Sequence, residues 1–255
     1  MAGDKVVAQD RRVALVTGAM GGLGTELCRR LHAEGFLVAA THSPQNARRD
    51  AWLAGQRADG VEVRAYELDV SNGNACDNVV RQVLNDFRRI DVLVNNAGIT
   101  RDRSMRKMSQ DDWHTVMGTN LDSVFNMTRP VLESMIERRW GRIINISSVN
   151  GQQGAFGQAN YAAAKAGMHG FTKSLALEVA RHGVTVNTVS PGYLDTAMVG
   201  QMAQEVLRER ILPQIPVGRL GQPTEVAGLV AYLVSDLAGY VTGANIAING
   251  GQHMC

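Results

Sequence analysis

Short apolar runs rich in β-branched residues alternate with longer segments of helical period along almost the whole chain, and no other feature of the sequence constrains the fold so tightly. Strand-like runs fall at 12–17, 36–41, 61–70, 90–94, 142–147, 184–189 and 245–248, with helical segments near 22–34, 45–58, 74–89, 109–139, 158–182 and 223–235. Several of the short runs are apolar nearly throughout, which suits parallel strands covered on both faces. Strand, helix and strand in repetition imply right-handed βαβ crossovers. The expectation is an α/β fold, a doubly wound, seven-stranded parallel sheet with helices on both faces. No linker, internal repeat or low-complexity tract divides residues 1–255, so one domain is expected, a size such folds reach undivided.

Composition narrows the function classes. A formal charge of +2, with no dense basic run interleaved with aromatics, argues against nucleic-acid binding. The opening MAGDKVVAQDRR lacks the apolar core of a signal peptide, and no window approaches the ~18 apolar residues of a membrane span. A cytoplasmic protein without membrane contact is expected. Cys28, Cys76 and Cys255 are odd in number and far apart, and the six histidines lack ligand spacing, so neither a disulfide framework nor a metal site is expected. Asn126-Met127-Thr128 and Asn145-Ile146-Ser147 fit the glycosylation pattern, but the second lies in an expected buried strand.

The first strand runs into Thr17-Gly18-Ala19-Met20-Gly21-Gly22-Leu23-Gly24 and then into a helix. Glycines let the backbone turn and approach a pyrophosphate, while the helix N-terminus offers free N–H groups and the positive end of its dipole. Gly18, Met20, Gly21, Gly22, Leu23 and Gly24 are therefore expected to cradle a dinucleotide, which makes the fold Rossmann-like. The second strand ends in Ala40-Thr41-His42-Ser43, without the acid that binds the ribose hydroxyls of NAD. Arg48 and Arg49 follow, and guanidinium forks suit a phosphate. The expected cofactor is NADPH, with Ser43, Arg48 and Arg49 around its 2′-phosphate.

Tyr161 and Lys165 lie four apart in an alanine-rich segment, so both project from one helical face. A fixed ammonium beside a phenol favours the phenolate and lowers its pKa from ~10, making the tyrosine an acid or base. With a serine thirteen residues earlier, Ser148, this pair resembles the signature of the short-chain dehydrogenase/reductase family. The resemblance extends to Asn120, where the family's asparagine holds a proton-relay water, and to the spacing of Gly18, Gly22 and Gly24. It implies that Asp69 and Val70 flank the adenine and that Asn95, Ala97 and Gly98 line the cofactor ribose. It further implies that Pro191 and Gly192 support the nicotinamide, Thr196 bonds its carboxamide, and Tyr161 and Lys165 also touch the cofactor. The stretch 193–221 reads as a lid, with a packed helical pair as the alternative.

The stretches NNAGITRD, RKMSQDDW, WGRIINISSVNGQ and GVTVNTVSPGY resemble one branch of that family, the acetoacetyl-CoA reductases of polyhydroxybutyrate synthesis. That likeness implies NADPH-dependent reduction of a 3-oxoacyl thioester, an acyl-CoA. Ser148 would hold the carbonyl oxygen, Tyr161 would supply the proton, and Phe156, Gln158 and Tyr193 would line the acyl pocket. Ala155 departs from the branch, where glutamine is usual. The neighbouring branch, the 3-oxoacyl-acyl-carrier-protein reductases, presents basic residues beside the mouth; Arg139 agrees, whereas His182 replaces the second arginine. A non-catalytic dinucleotide sensor is the remote alternative, disfavoured because both Tyr161 and Lys165 are kept. The resemblance also implies a homotetramer paired through the helices near 109–139 and 158–182 and the C-terminal strands, with Ala162, Ala163, Ala164, Ala166 and Gly167 allowing close approach.

Overall fold

The computed structural model describes residues 11–44, 46–196 and 204–254 of the chain. Seven parallel strands form one sheet in the order β3-β2-β1-β4-β5-β6-β7. They are β1 (Val13–Val16), β2 (Leu37–His42), β3 (Val63–Glu67), β4 (Val92–Asn95), β5 (Gly141–Ile146), β6 (Val184–Pro191) and β7 (Asn245–Ile248). The principal helices are α1 (Gly22–Ala33), α2 (Arg49–Ala58), α3 (Gly73–Phe87), α4 (Gln110–Met117), α5 (Ser123–Glu137), α6 (Ala159–Val179) and α7 (Pro223–Val234).

The apolar runs are the central strands because neither face meets water. Successive side chains of β1 alternate between two cores: Val13 and Leu15 join α3, α5 and α6, and Ala14 and Val16 join α1 and α7. Leu93, Ile143 and Val186 repeat the first assignment; Val94, Ile144 and Val189 repeat the second. Each fully buried Leu, Ile or Val contributes about 1.5–3 kcal/mol of transfer free energy. The edge strands β3 and β7 are correspondingly less buried.

The expected helix at 109–139 is three pieces. A capping box between Ser109 and Asp112 starts α4, and the turn Gly118–Asp122 widens to π geometry, with the Ser123 N–H donating to the Gly118 carbonyl. Such a bulge inside a helix often marks a functional site. The strand at 61–70 shortens to β3, since Asp69 closes a turn by accepting from the Ser71 N–H (3.0 Å) and hydroxyl (2.6 Å).

At the N-terminal end of the sheet, Asp91 is held by the fork of Arg89 (2.7 Å twice) and accepts from the Val13 N–H at 2.8 Å. Beside it Arg12 and Arg142 stack on Trp140 at 3.8 and 4.3 Å. Arg139, just before β5, and His182, just before β6, also lie at this end. The expectation that Arg139 stands beside the mouth therefore fails within one chain: Gly183 packs on its carbonyl, at the opposite end from the glycine loop.

Candidate active site

Strand order reverses between β1 and β4, and the crevice outside their C-terminal ends is where such sheets bind ligands. The chain places its glycine loop there. Gly18 takes φ +62°, and a Cβ on it would stand 2.8 Å from the Ala97 Cα. Gly24 has no room for a side chain against the Gly18 carbonyl. Gly21 caps α1 without a side chain, and no acid lies in the first turn. The first N–H groups are thus left for an anion, so the cradle fits a dinucleotide pyrophosphate.

A latch that sequence reading missed holds this loop. The Thr17 hydroxyl accepts from the N–H groups of Asn96 and Ala97 (3.0 Å each), and the Asn96 amide donates to the carbonyls of Thr17 (2.9 Å) and Gly18 (3.1 Å). The signal was the neighbouring asparagine of the Asn95-Asn96 pair. The Asn95 side chain itself is buried among β4, β5 and α5, donating to Asn145 (2.8 Å) and Thr128 (3.3 Å), so only its backbone faces the crevice. Thr196 meets Gly22 across the cleft, where a Cβ would lie 3.0 Å from its methyl. Gly192 packs on Asn249, and the Pro191 carbonyl accepts from Val149 at 2.8 Å.

Ser43 is exposed at the end of β2. Arg48 caps α2, its N–H donating to Asn46 at 3.0 Å, and its exposed guanidinium has no partner among the described residues. Arg49 is paired with Asp50 at 3.3 Å. Asp69 and the buried Val70 follow β3; the Val70 carbonyl accepts from Asn126 at 3.1 Å.

The four expected catalytic residues come together from three elements. Asn120 sits fully buried in the π turn, its amide clamped to both backbone groups of Ile99 (2.8 and 2.9 Å). A Cβ on Gly98 would lie 3.3 Å from the Asn120 Oδ1 and 3.4 Å from the Lys165 Nζ, so both polar groups border one glycine. Ser148, past the end of β5, lies beside the Tyr161 phenol and favours its ionised form. Lys165 is buried, donates to the Ile146 carbonyl at 2.7 Å and stands 5.6 Å from the centroid of the Tyr161 ring.

The expected lowering of the tyrosine's pKa does not hold. Burial pushes the Tyr161 phenol up; Ser148 offsets part of this, and Asp102 and Tyr193 add to the rise. Burial likewise brings the Lys165 ammonium down to about 8. The helical spacing was right, but desolvation sets the direction, and the Lys165 ammonium, bonded to the Ile146 carbonyl, is not among the groups that shift the phenol.

The expected acyl wall contains a relay of polar groups. The Asn150 amide donates to Gln158 (2.8 Å), whose own amide donates to Asp102 (2.8 Å), and Tyr193 lies beside Asn150. Asp102 and Asn150 were not singled out from sequence: an acid between two arginines and an asparagine in a short turn carry no pattern. Phe156 is 97% exposed at the rim and Ala155 is exposed beside it. The base of the stretch at 193–221 is closed by a parallel bridge between Leu194 and Gly221. Part of this expected lid, 197–203, lies outside the described residues. Gly167 of α6 is filled by Leu121 of the same chain, 2.9 Å from its would-be Cβ, so that glycine already serves intrachain packing.

Comparison with known proteins agrees with this geometry. The profile described as short chain dehydrogenase matches residues 12–207. The acetoacetyl-CoA reductase of Cupriavidus necator is 52% identical over 244 residues, covering 96% of this chain and 99% of that protein. That of Allochromatium vinosum is 51% identical over 244 residues, covering 95% and 99%. The 3-oxoacyl-[acyl-carrier-protein] reductase FabG of Vibrio cholerae is 44% identical over 244 residues, covering 95% and 98%. With a seven-stranded parallel sheet, a glycine cradle at its switch point and a serine, tyrosine and lysine meeting beside it, the chain belongs to the short-chain dehydrogenase/reductase family and is an oxidoreductase.

Proposed function

We propose that the protein reduces a 3-oxoacyl thioester with NADPH, its reaction being acetoacetyl-CoA to 3-hydroxybutyryl-CoA. The observation that carries this reading is the meeting of the Ser148 hydroxyl, the Tyr161 phenol and the buried Lys165 ammonium beside the glycine cradle. When bound, the reduced nicotinamide supplies the hydride. Ser148 holds the ketone oxygen and polarises it. Tyr161, its phenol held protonated by burial, donates the proton to the developing alkoxide. Lys165, charged at neutral pH with its pKa near 8, stabilises the phenolate left behind. Asn120, fixed by Ile99 and bordering the same glycine as the Lys165 ammonium, holds the water through which the proton is replaced.

For the cofactor, the absence of an acid at the end of β2 and the free Arg48 fork support NADPH. For the thioester, the relatives named for acetoacetyl-CoA support the CoA form. Exposed Phe125 on α5, Leu177 on α6, and Leu237 and Tyr240 before β7 support association into a homotetramer. We place the reaction in the cytoplasm; among the described residues no helix is long and apolar enough to cross a membrane.

Steady-state kinetics with NADPH and NADH against acetoacetyl-CoA, longer 3-oxoacyl-CoAs and the acyl-carrier-protein thioester test the reading. The expected result is the highest kcat/KM for acetoacetyl-CoA with NADPH. A strong preference for the carrier thioester would assign the chain to the neighbouring branch instead.

A further inference from the structure

Tyr161, Lys165 and His169 follow one another at four-residue intervals on α6, so the three side chains form a single stripe along the helix. The first two belong to the chemistry proposed above and the third does not. His169 is half-buried, and its Nε2 lies 3.0 Å from the Oγ of Ser147, the residue directly before Ser148. Ser147 is itself buried, with its hydroxyl 2.9 Å from the Lys165 carbonyl.

The direction of these bonds follows from counting protons. A carbonyl only accepts, so the single hydroxyl proton of Ser147 goes to Lys165. The second bond must then run from the His169 Nε2–H to the Ser147 Oγ, which assigns the tautomer. Burial and the neighbouring Lys173 hold the ring's pKa below the ordinary histidine value, and a protonated ring would keep the same N–H.

Ser148 sits on the loop after β5, whereas Tyr161 and Lys165 sit on α6, so their separation depends on how the end of β5 is held to that helix. Within the sheet the backbone fixes it: the N–H groups of Ser147 and Val149 donate to Val189 and Pro191, 2.8 Å each. Towards α6 the ties among the described residues are made by side chains. Asn145 donates to Thr172 at 2.9 Å, Lys165 donates to the Ile146 carbonyl at 2.7 Å, and the Ser147 clamp comes last, nearest to Ser148. The Lys165 ammonium is also engaged in the proton transfer; the Ser147 hydroxyl and the His169 ring are free of that duty.

We propose that His169 is a positioning residue: it donates to Ser147, holds that hydroxyl on the Lys165 carbonyl, and so sets the placement of Ser148 against Tyr161. This deepens the reading above and rests on the roles given there to Ser148, Tyr161 and Lys165. His169 acts through Ser147 and takes no part in the proton transfer.

The test is steady-state kinetics with NADPH and acetoacetyl-CoA on the parent, His169→Gln, His169→Asn, His169→Leu, Ser147→Ala and the double variant H169L/S147A. Glutamine carries an amide N–H as far from the backbone as Nε2, asparagine only as far as Nδ1, and leucine carries none. Small displacements around a reacting centre cost up to about a hundredfold, so His169→Asn and His169→Leu should lower kcat about ten- to a hundredfold with KM within about twofold of the parent. His169→Gln should restore kcat to within about threefold of the parent. Ser147→Ala should match His169→Leu, and the double variant should be no slower than either, because all three lose one interaction. Since Ser148 favours the ionised phenol, losing its placement should move the alkaline limb of the kcat/KM profile to higher pH in His169→Leu and leave it in place in His169→Gln. Equal losses in the glutamine, asparagine and leucine variants, or losses that multiply in the double variant, would make the histidine a packing group and overturn the proposal. So would an unchanged kcat in His169→Leu, or a loss confined to KM. A parent that reduces no 3-oxoacyl thioester overturns the proposed function together with this proposal, a result read without any variant.

Discussion

Lys165 allows a sharp test of the balance between burial and charge at this site. Its ammonium is buried against the Ile146 carbonyl, and its pKa falls from 10.5 to about 8. One pKa unit corresponds to about 1.4 kcal/mol, so the charged form costs the fold about 3 kcal/mol. The sign follows from proton counting. Below pH 8 the lysine is protonated in both folded and unfolded states, and the full penalty applies. Between 8 and 10.5 the unfolded chain holds a proton that the folded one has released, so stability rises with pH and the penalty is relieved. The thiols of Cys28 and Cys76, pushed up to about 12 by burial, act the other way above pH 9. They are common to the parent and to Lys165→Met, and cancel in the difference. Urea unfolding at fixed protein concentration should therefore show the parent gaining about 3 kcal/mol on Lys165→Met between pH 7.5 and 10.5. A difference flat across that range would refute the account of Lys165 as a desolvated cation.

Three further outcomes follow from the same geometry. Tyr161→Phe should lower kcat by about 10²–10⁴ while NADPH binding, followed by fluorescence titration, stays within a few-fold of the parent; near-normal turnover would dismiss the tyrosine as proton donor. Gly18→Ala forces a side chain into the left-handed region and against Ala97, and should cost about 2–4 kcal/mol in thermal or urea unfolding, along with cofactor affinity. Asp102→Asn removes a negative charge that raises both Tyr161 and Tyr193, so the alkaline limb of the kcat/KM profile should move to lower pH. An unmoved or rising limb would mean that Asp102 acts only through its bond to Gln158.

The layered architecture was legible because buried parallel strands must be apolar on both faces, as Val13–Val16 and Gly141–Ile146 largely are. The catalytic spacing was legible because a helix fixes Tyr161 and Lys165 on one side. What a one-dimensional pattern does not carry is how each polar group is spent. Asn95 and Asn96 are adjacent and identical, yet one ties β4 to β5 inside the sheet and the other latches the phosphate loop. The π turn at Gly118–Asp122 reads as part of one helix because the segments on both sides have helical period, although Gly, Thr, Asn and Asp are weak helix formers; the break becomes visible where Asn120 reaches Ile99. Similarly, the Tyr161 shift depends on how deeply the phenol is enclosed, which spacing alone does not report.

The bridge between Leu194 and Gly221 has an evolutionary corollary. Two backbone hydrogen bonds, Asp195 N–H to Gly221 at 2.8 Å and Gly221 N–H to Tyr193 at 3.0 Å, bring the ends of the intervening stretch side by side. Whatever lies between two touching ends can be lengthened at a cost that grows only with the logarithm of its length. Substitution of that stretch leaves the seven strands and the pairing of Tyr161 with Lys165 where they are, so descendants of this scaffold can vary it without refolding the sheet beneath.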